Sequence, residues 1–124
     1  MINLAADPSK NLLTICYSGS VVPSEFDQGL GDMQAALAQL QSGFRLLADL
    51  TCLERMDVGC APFIEHAMDL CDEKGASLVV RVIPDPHRDI GMNIMSVFHY
   101  GKTVRIVTCQ TLSEAEELLA GEAR

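Results

Sequence analysis

The sequence predicts an α/β domain in which a mostly parallel sheet of about five strands is packed against helices, in the order β-β-α-β-α-β-α-β-α. Three observations carry this reading. Strand-like apolar runs alternate with segments of helical periodicity from residue 24 onward. The run Phe44-Arg45-Leu46-Leu47-Ala48-Asp49-Leu50 has little in/out alternation, as expected of a parallel strand covered on both faces. The amphipathic segment after it closes at Gly75, directly before the next apolar run, Ser77 to Ile83.

At the start of the chain, Ile2 to Ala6 and Leu12 to Ser18 are short and apolar, and Asp7-Pro8-Ser9-Lys10-Asn11 between them supplies turn chemistry, which predicts an antiparallel hairpin. Phe26, Leu30, Met33, Leu37 and Leu40 then fall on one helical face, with Ser24 as the expected N-cap and Gly43 as the expected stop. Gly29 and Gly31 lie inside that helix and each weakens it by about 1 kcal/mol relative to Ala.

After the strand at 44–50 comes a polar turn ending Met56-Asp57-Val58-Gly59-Cys60. The next helix places Cys60, Phe63, Ile64, Ala67, Met68 and Cys71 on an apolar face, and Glu65, His66, Asp69, Asp72 and Glu73 on an acidic one. Pro62 suits its first turn, where no amide proton is needed. The strand at 77–83 is stopped by Pro84-Asp85-Pro86. In the segment 89–100, Ile90, Ile94, Val97 and Phe98 share one helical face, while Met92, Met95 and His99 cluster on the other as an adaptable contact surface. A last strand covers 102–108, and Ser113 with Glu116 forms the capping box of a final helix packed through Leu112, Ala115, Leu118 and Leu119.

Composition narrows the function classes. The 124 residues make one domain, 1–124. A net charge of −8, with Arg81, Arg88, Lys102 and Arg105 isolated among acids, argues against a nucleic-acid partner. No apolar run is long enough to span a membrane, and the start of the chain lacks the pattern of a signal peptide, so a cytoplasmic protein is expected. The five cysteines show no CxxC or CxxH spacing and read as reduced thiols.

The order of elements is joined by four local stretches: Leu46-Leu47-Ala48-Asp49-Leu50-Thr51, the turn Met56-Asp57-Val58-Gly59, Lys74-Gly75-Ala76-Ser77-Leu78-Val79-Val80, and the tail Thr111-Leu112-Ser113-Glu114-Ala115-Glu116-Glu117-Leu118-Leu119. Together they resemble the STAS superfamily of anti-sigma factor antagonists, the SpoIIAA-like proteins, over nearly the whole chain. The resemblance implies a bacterial, non-enzymatic regulator with a protein partner, such as an anti-sigma factor or kinase-like regulator. In that family the corresponding turn carries Asp-Ser-Ser/Thr-Gly, and its first Ser is phosphorylated by the partner kinase. Here Asp57 matches the family Asp, whereas Val58 takes the place of the phosphorylated Ser and offers no oxygen to modify. The resemblance therefore implies a divergent member that lacks the usual switch.

The expected partner-binding residues are Arg55, Asp57, Val58, Gly59 and Cys60 in the turn, with Met92, Met95 and His99 as a second patch that could equally serve a homodimer. The alternative is a module for a small apolar or anionic ligand held near Asp85, His87 and Arg88, at the carboxyl end of a strand where open α/β sheets bind ligands. An enzyme using Cys60 or His87 is a third possibility. Asp57 also reads as a helix N-cap, and Cys60 as a buried structural thiol on the apolar stripe. His66, His87 and His99 lack the spacing of a zinc-binding helix, and no metal or cofactor is expected.

Overall fold

A computed structural model describes residues 1–83 and 105–122. The described elements are β1 (Ile2–Asp7), β2 (Leu12–Tyr17), β3 (Gly19–Val21), α1 (Glu25–Leu37), β4 (Arg45–Asp49), β5 (Leu53–Met56), α2 (Ala61–Lys74), β6 (Leu78–Val82), β7 (Arg105–Cys109) and α3 (Leu112–Glu122). Met92, Met95 and His99, as well as Asp85, His87 and Arg88, lie outside the described residues.

The main sheet has the order β1-β2-β4-β6-β7. Its first pair is the expected antiparallel hairpin, with Ile2 opposite Tyr17. Its turn is tied by the Asp7 carboxylate, which accepts the Ser9 amide at 3.0 Å and the Ser9 hydroxyl at 2.5 Å. Asn11 takes a positive φ of 49°, and its side chain exchanges hydrogen bonds with the Gln41 backbone at 2.8 and 3.2 Å. The other pairs are parallel, placing Cys16 opposite Asp49, Ala48 opposite Arg81, and Arg81 opposite Thr108.

Strand parity divides the core in two. Leu13, Ile15, Tyr17, Leu46, Ala48 and Val79 pack toward α1 and α2, where Phe26, Met33, Leu37, Ile64, Ala67 and Met68 close the layer. Leu47, Leu78, Val80 and Val82 face the other way and meet Ala115 and Leu119 of α3. β4 and β6 are thus buried on both faces, which is why their sequences do not alternate. Each fully buried Leu or Phe contributes roughly 1.5–3 kcal/mol of transfer free energy. Arg81 is the one buried charged residue among those described, and its Nη2 donates to Thr108 Oγ1 at 2.9 Å.

Several local expectations shift. Helix α1 ends at Leu37, before Gly43, and Leu40 is reached through turn hydrogen bonds. Ser24 occupies the N-cap without a side-chain bond. Glu25 reaches back instead to accept the Val22 amide at 2.8 Å and pairs with the Met1 amine at 3.1 Å. At α3 the cap is Thr111, whose hydroxyl accepts the Glu114 amide at 3.2 Å, and Ser113 lies within the helix. Gly75 does end α2, with φ 100° and its amide shared between the Cys71 and Asp72 carbonyls.

Candidate functional site

The turn between β5 and α2 stands on a second, two-stranded parallel sheet formed by β3 and β5, where the sequence pattern predicts only connecting loops. The signals of this sheet are weak: three residues in β3, and in Leu53-Glu54-Arg55-Met56 only two apolar positions beside two charges. It nonetheless fixes the turn. Val21, buried in β3, accepts the Asp57 amide at 3.0 Å and lies opposite Met56 in register.

From Asp57 the chain tightens into a single 3-10 turn, Val58–Cys60, before α2 begins. The exposed Asp57 carboxylate accepts the Gly59 amide at 2.7 Å, and its carbonyl accepts the Cys60 amide at 2.9 Å. Asp57 is therefore the cap of the entry turn, satisfying donors that the helix cannot satisfy itself. Gly59 is tightly placed: a Cβ there would meet the Asp57 carboxylate and the Pro23 ring, each at 3.1 Å.

Cys60 supports the turn from beneath. It is wholly buried, and its thiol lies 3.6 Å from the Val21 carbonyl. Burial pushes its pKa up, the nearby Asp57 charge adds to this, and the Cys60 thiol is held neutral as a packing group. Arg55, Asp57 and Gly59 are exposed at this turn, and the outer side of α2 continues from it through the exposed His66, Asp69 and Glu73. The inner side of α2 is the expected apolar stripe, with Phe63 stacked on Phe26 at 5.5 Å between ring centroids.

A wide concavity lies away from this turn, on the α3 side of the sheet. It is an open trough of about 910 Å³ bordered by Leu12, Leu47 and Leu119, with Lys10, Arg45 and Asp49 also lining it. Arg45 is committed to backbone there, donating to the Leu119 carbonyl at 2.6 Å and the Lys10 carbonyl at 2.8 Å. Among the described residues no group of three or more His, Cys, Asp or Glu side chains could hold a metal ion, and no helix is long and apolar enough to cross a membrane.

No family model and no curated protein matches the sequence. Solved structures do match. A DUF3478-family protein with a SpoIIAA-like fold from Shewanella loihica PV-4 superposes with a TM-score of 0.71 at 16% identity, covering 95% of this chain and 93% of that one. The fold is SpoIIAA-like. The anti-sigma factor antagonist SpoIIAA in its unphosphorylated form gives a TM-score of 0.63 at 16% identity, covering 98% of this chain and 99% of that one. An anti-sigma factor antagonist from Mycobacterium paratuberculosis gives 0.60 at 14% identity, covering 97% and 95% respectively. At these identities the SpoIIAA-like architecture is shared while the side chains of the turn are free to differ.

Proposed function

We propose that residues 1–124 form a single, cytoplasmic, bacterial regulatory domain of the STAS type, which acts by docking a protein partner rather than by catalysis. The docking surface is the turn from Arg55 to Gly59 with the outer side of α2, and Met92, Met95 and His99 add a second patch for a partner or a homodimer. The observation that carries this reading is the construction of the turn: Asp57 is bonded to Gly59 at 2.7 Å and to Val21 at 3.0 Å, which presents a braced, exposed surface in a SpoIIAA-like fold. Such presentation lowers the ordering cost of binding. With Val58 at the position of the family's phosphorylated Ser, docking is not released by phosphorylation of that residue.

Incubation with ATP and an anti-sigma factor kinase tests this. The chain is expected to bind and to leave without phosphate at residues 55–60; phosphate mapped to Thr51 would show that the switch had moved along the chain.

The small-molecule alternative at Asp85, His87 and Arg88 lies outside the described residues; at a different place, the trough beside α3 has a size within the range of ligand sites. Its wide mouth and its already bonded arginine make it the second reading.

A further inference from the structure

Two thiols outside the core, Cys16 and Cys52, sit on neighbouring segments at the root of the docking turn. Cys16 lies near the end of β2, half-buried on the α3 side of the sheet and directly opposite Asp49. Where β4 ends at Asp49 the chain folds back at once: the Leu53 amide bonds the Leu50 carbonyl at 3.2 Å, turning residues 50–53 and exposing Cys52. The Cys52 carbonyl then accepts the Gly19 amide at 2.9 Å, so Cys52 is fastened to the segment that leaves Cys16. The Cys16 thiol is pushed up by burial first, and then by the neighbouring charges of Asp49 and Cys52, which agrees with this placement. Cys60, Cys71 and Cys109 are buried elsewhere in the core.

We propose that Cys16 and Cys52 form a reversible intramolecular disulfide under oxidation by a hydroperoxide. Cys52, the exposed thiol, meets the oxidant first. Its thiolate attacks the peroxide oxygen, the O–O bond breaks, and the leaving oxygen takes a proton as water or alcohol, leaving a sulfenic acid on Cys52. The Cys16 sulfur then attacks the Cys52 sulfur, the S–O bond breaks, and the hydroxide leaves with the Cys16 proton as water. The two thiols supply the two electrons that reduce the peroxide. Burial of Cys16, and after it the charge of Asp49 on the paired strand, disfavours the Cys16 thiolate and fits Cys16 to the resolving role, with the exposed Cys52 reacting first.

The bond would tie the end of β2 to the residue that precedes β5, and so to the two strands, β3 and β5, that hold Asp57 through Val21. Its effect on docking rests on the function proposed above; the disulfide itself does not.

The test uses the full chain, fully reduced, treated with stoichiometric hydrogen peroxide, quenched by alkylation and mapped by mass spectrometry. The expected product has lost the mass of two hydrogen atoms and two of its five free thiols, carries a Cys16–Cys52 cross-linked peptide, and is restored by dithiothreitol. Cys16→Ser should leave a sulfenic acid that dimedone traps on Cys52. Sulfinic acid on Cys52 with Cys16 still free in the wild type, or Cys52 joined only to a second copy, would overturn the proposal. Partner binding measured on the oxidised and reduced forms reports on the turn separately, because the cross-link is scored whether or not a partner docks.

Discussion

The Asp57 carboxylate accepts the Gly59 amide at 2.7 Å, and the same oxygen would lie 3.1 Å from a Cβ at Gly59. The cap and the glycine thus depend on each other. Asp57→Ala is expected to destabilise the protein by about 1 kcal/mol, the usual value of a lost cap. Gly59→Ala should cost about 1 kcal/mol, because Pro23 and the carboxylate must both give way. Urea midpoints of the two single variants check these values, and the double variant should fall short of their sum, since the first change removes part of the second's clash.

The end of α2 gives a second prediction. Gly75 has φ 100°, and a side chain there would also run into Ser42. Gly75→Ala should therefore destabilise by about 2 kcal/mol or more, from left-handed backbone strain and the collision together. Adding Ser42→Gly should recover the collision part and leave the strain, which thermal unfolding of the pair of variants would resolve.

Much of this architecture is legible in the residues alone, and the reasons are local. Gly75, Pro62 and the stripe from Ile64 to Cys71 define α2 by residue types with few alternatives, and the strand 44–50 is apolar because helices cover both its faces. The sheet of β3 and β5 is not legible, since a three-residue strand pairs only through tertiary placement. A cap is ambiguous where two hydroxyls compete: Thr111 and Ser113 are both able to cap, and the geometry selects Thr111. The turn's support by Val21 and Pro23 joins segments more than thirty residues apart, so spacing alone does not reveal it.

Thiol accessibility gives a third prediction. Cys52 is exposed and Cys16 half-buried, whereas Cys60, Cys71 and Cys109 are buried. A thiol probe at neutral pH should modify Cys52 first and Cys16 more slowly, with the other three protected until unfolding. Burial raises the pKa of Cys60 and Cys109, so their reaction should remain slow up to the ordinary thiol range. Rapid labelling of Cys60 alone would contradict its role as a packing group.

Acid stability gives a fourth. The Ser9 hydroxyl, together with the Ser9 and Lys10 amides, holds the Asp7 carboxyl below its ordinary value of 3.8. The Val22 amide and the Met1 amine do the same for Glu25, below 4.5. A depressed folded-state pKa means that the unfolded chain binds protons first. This stabilisation is therefore fully present above those ordinary values and is lost as pH falls from them through the lowered, folded-state ones. Asp7→Asn with Glu25→Gln should flatten the acid limb of the stability profile in that range and leave its neutral-to-alkaline shape unchanged.

The central claim is that an exposed turn, held by Asp57, docks a protein partner. Quantitative affinity capture from the native cell, with wild type and Asp57→Lys compared after circular dichroism has shown both to be folded, tests it most directly. The account predicts at least one protein held by the wild type and lost from the variant; an identical set of captured proteins would contradict it.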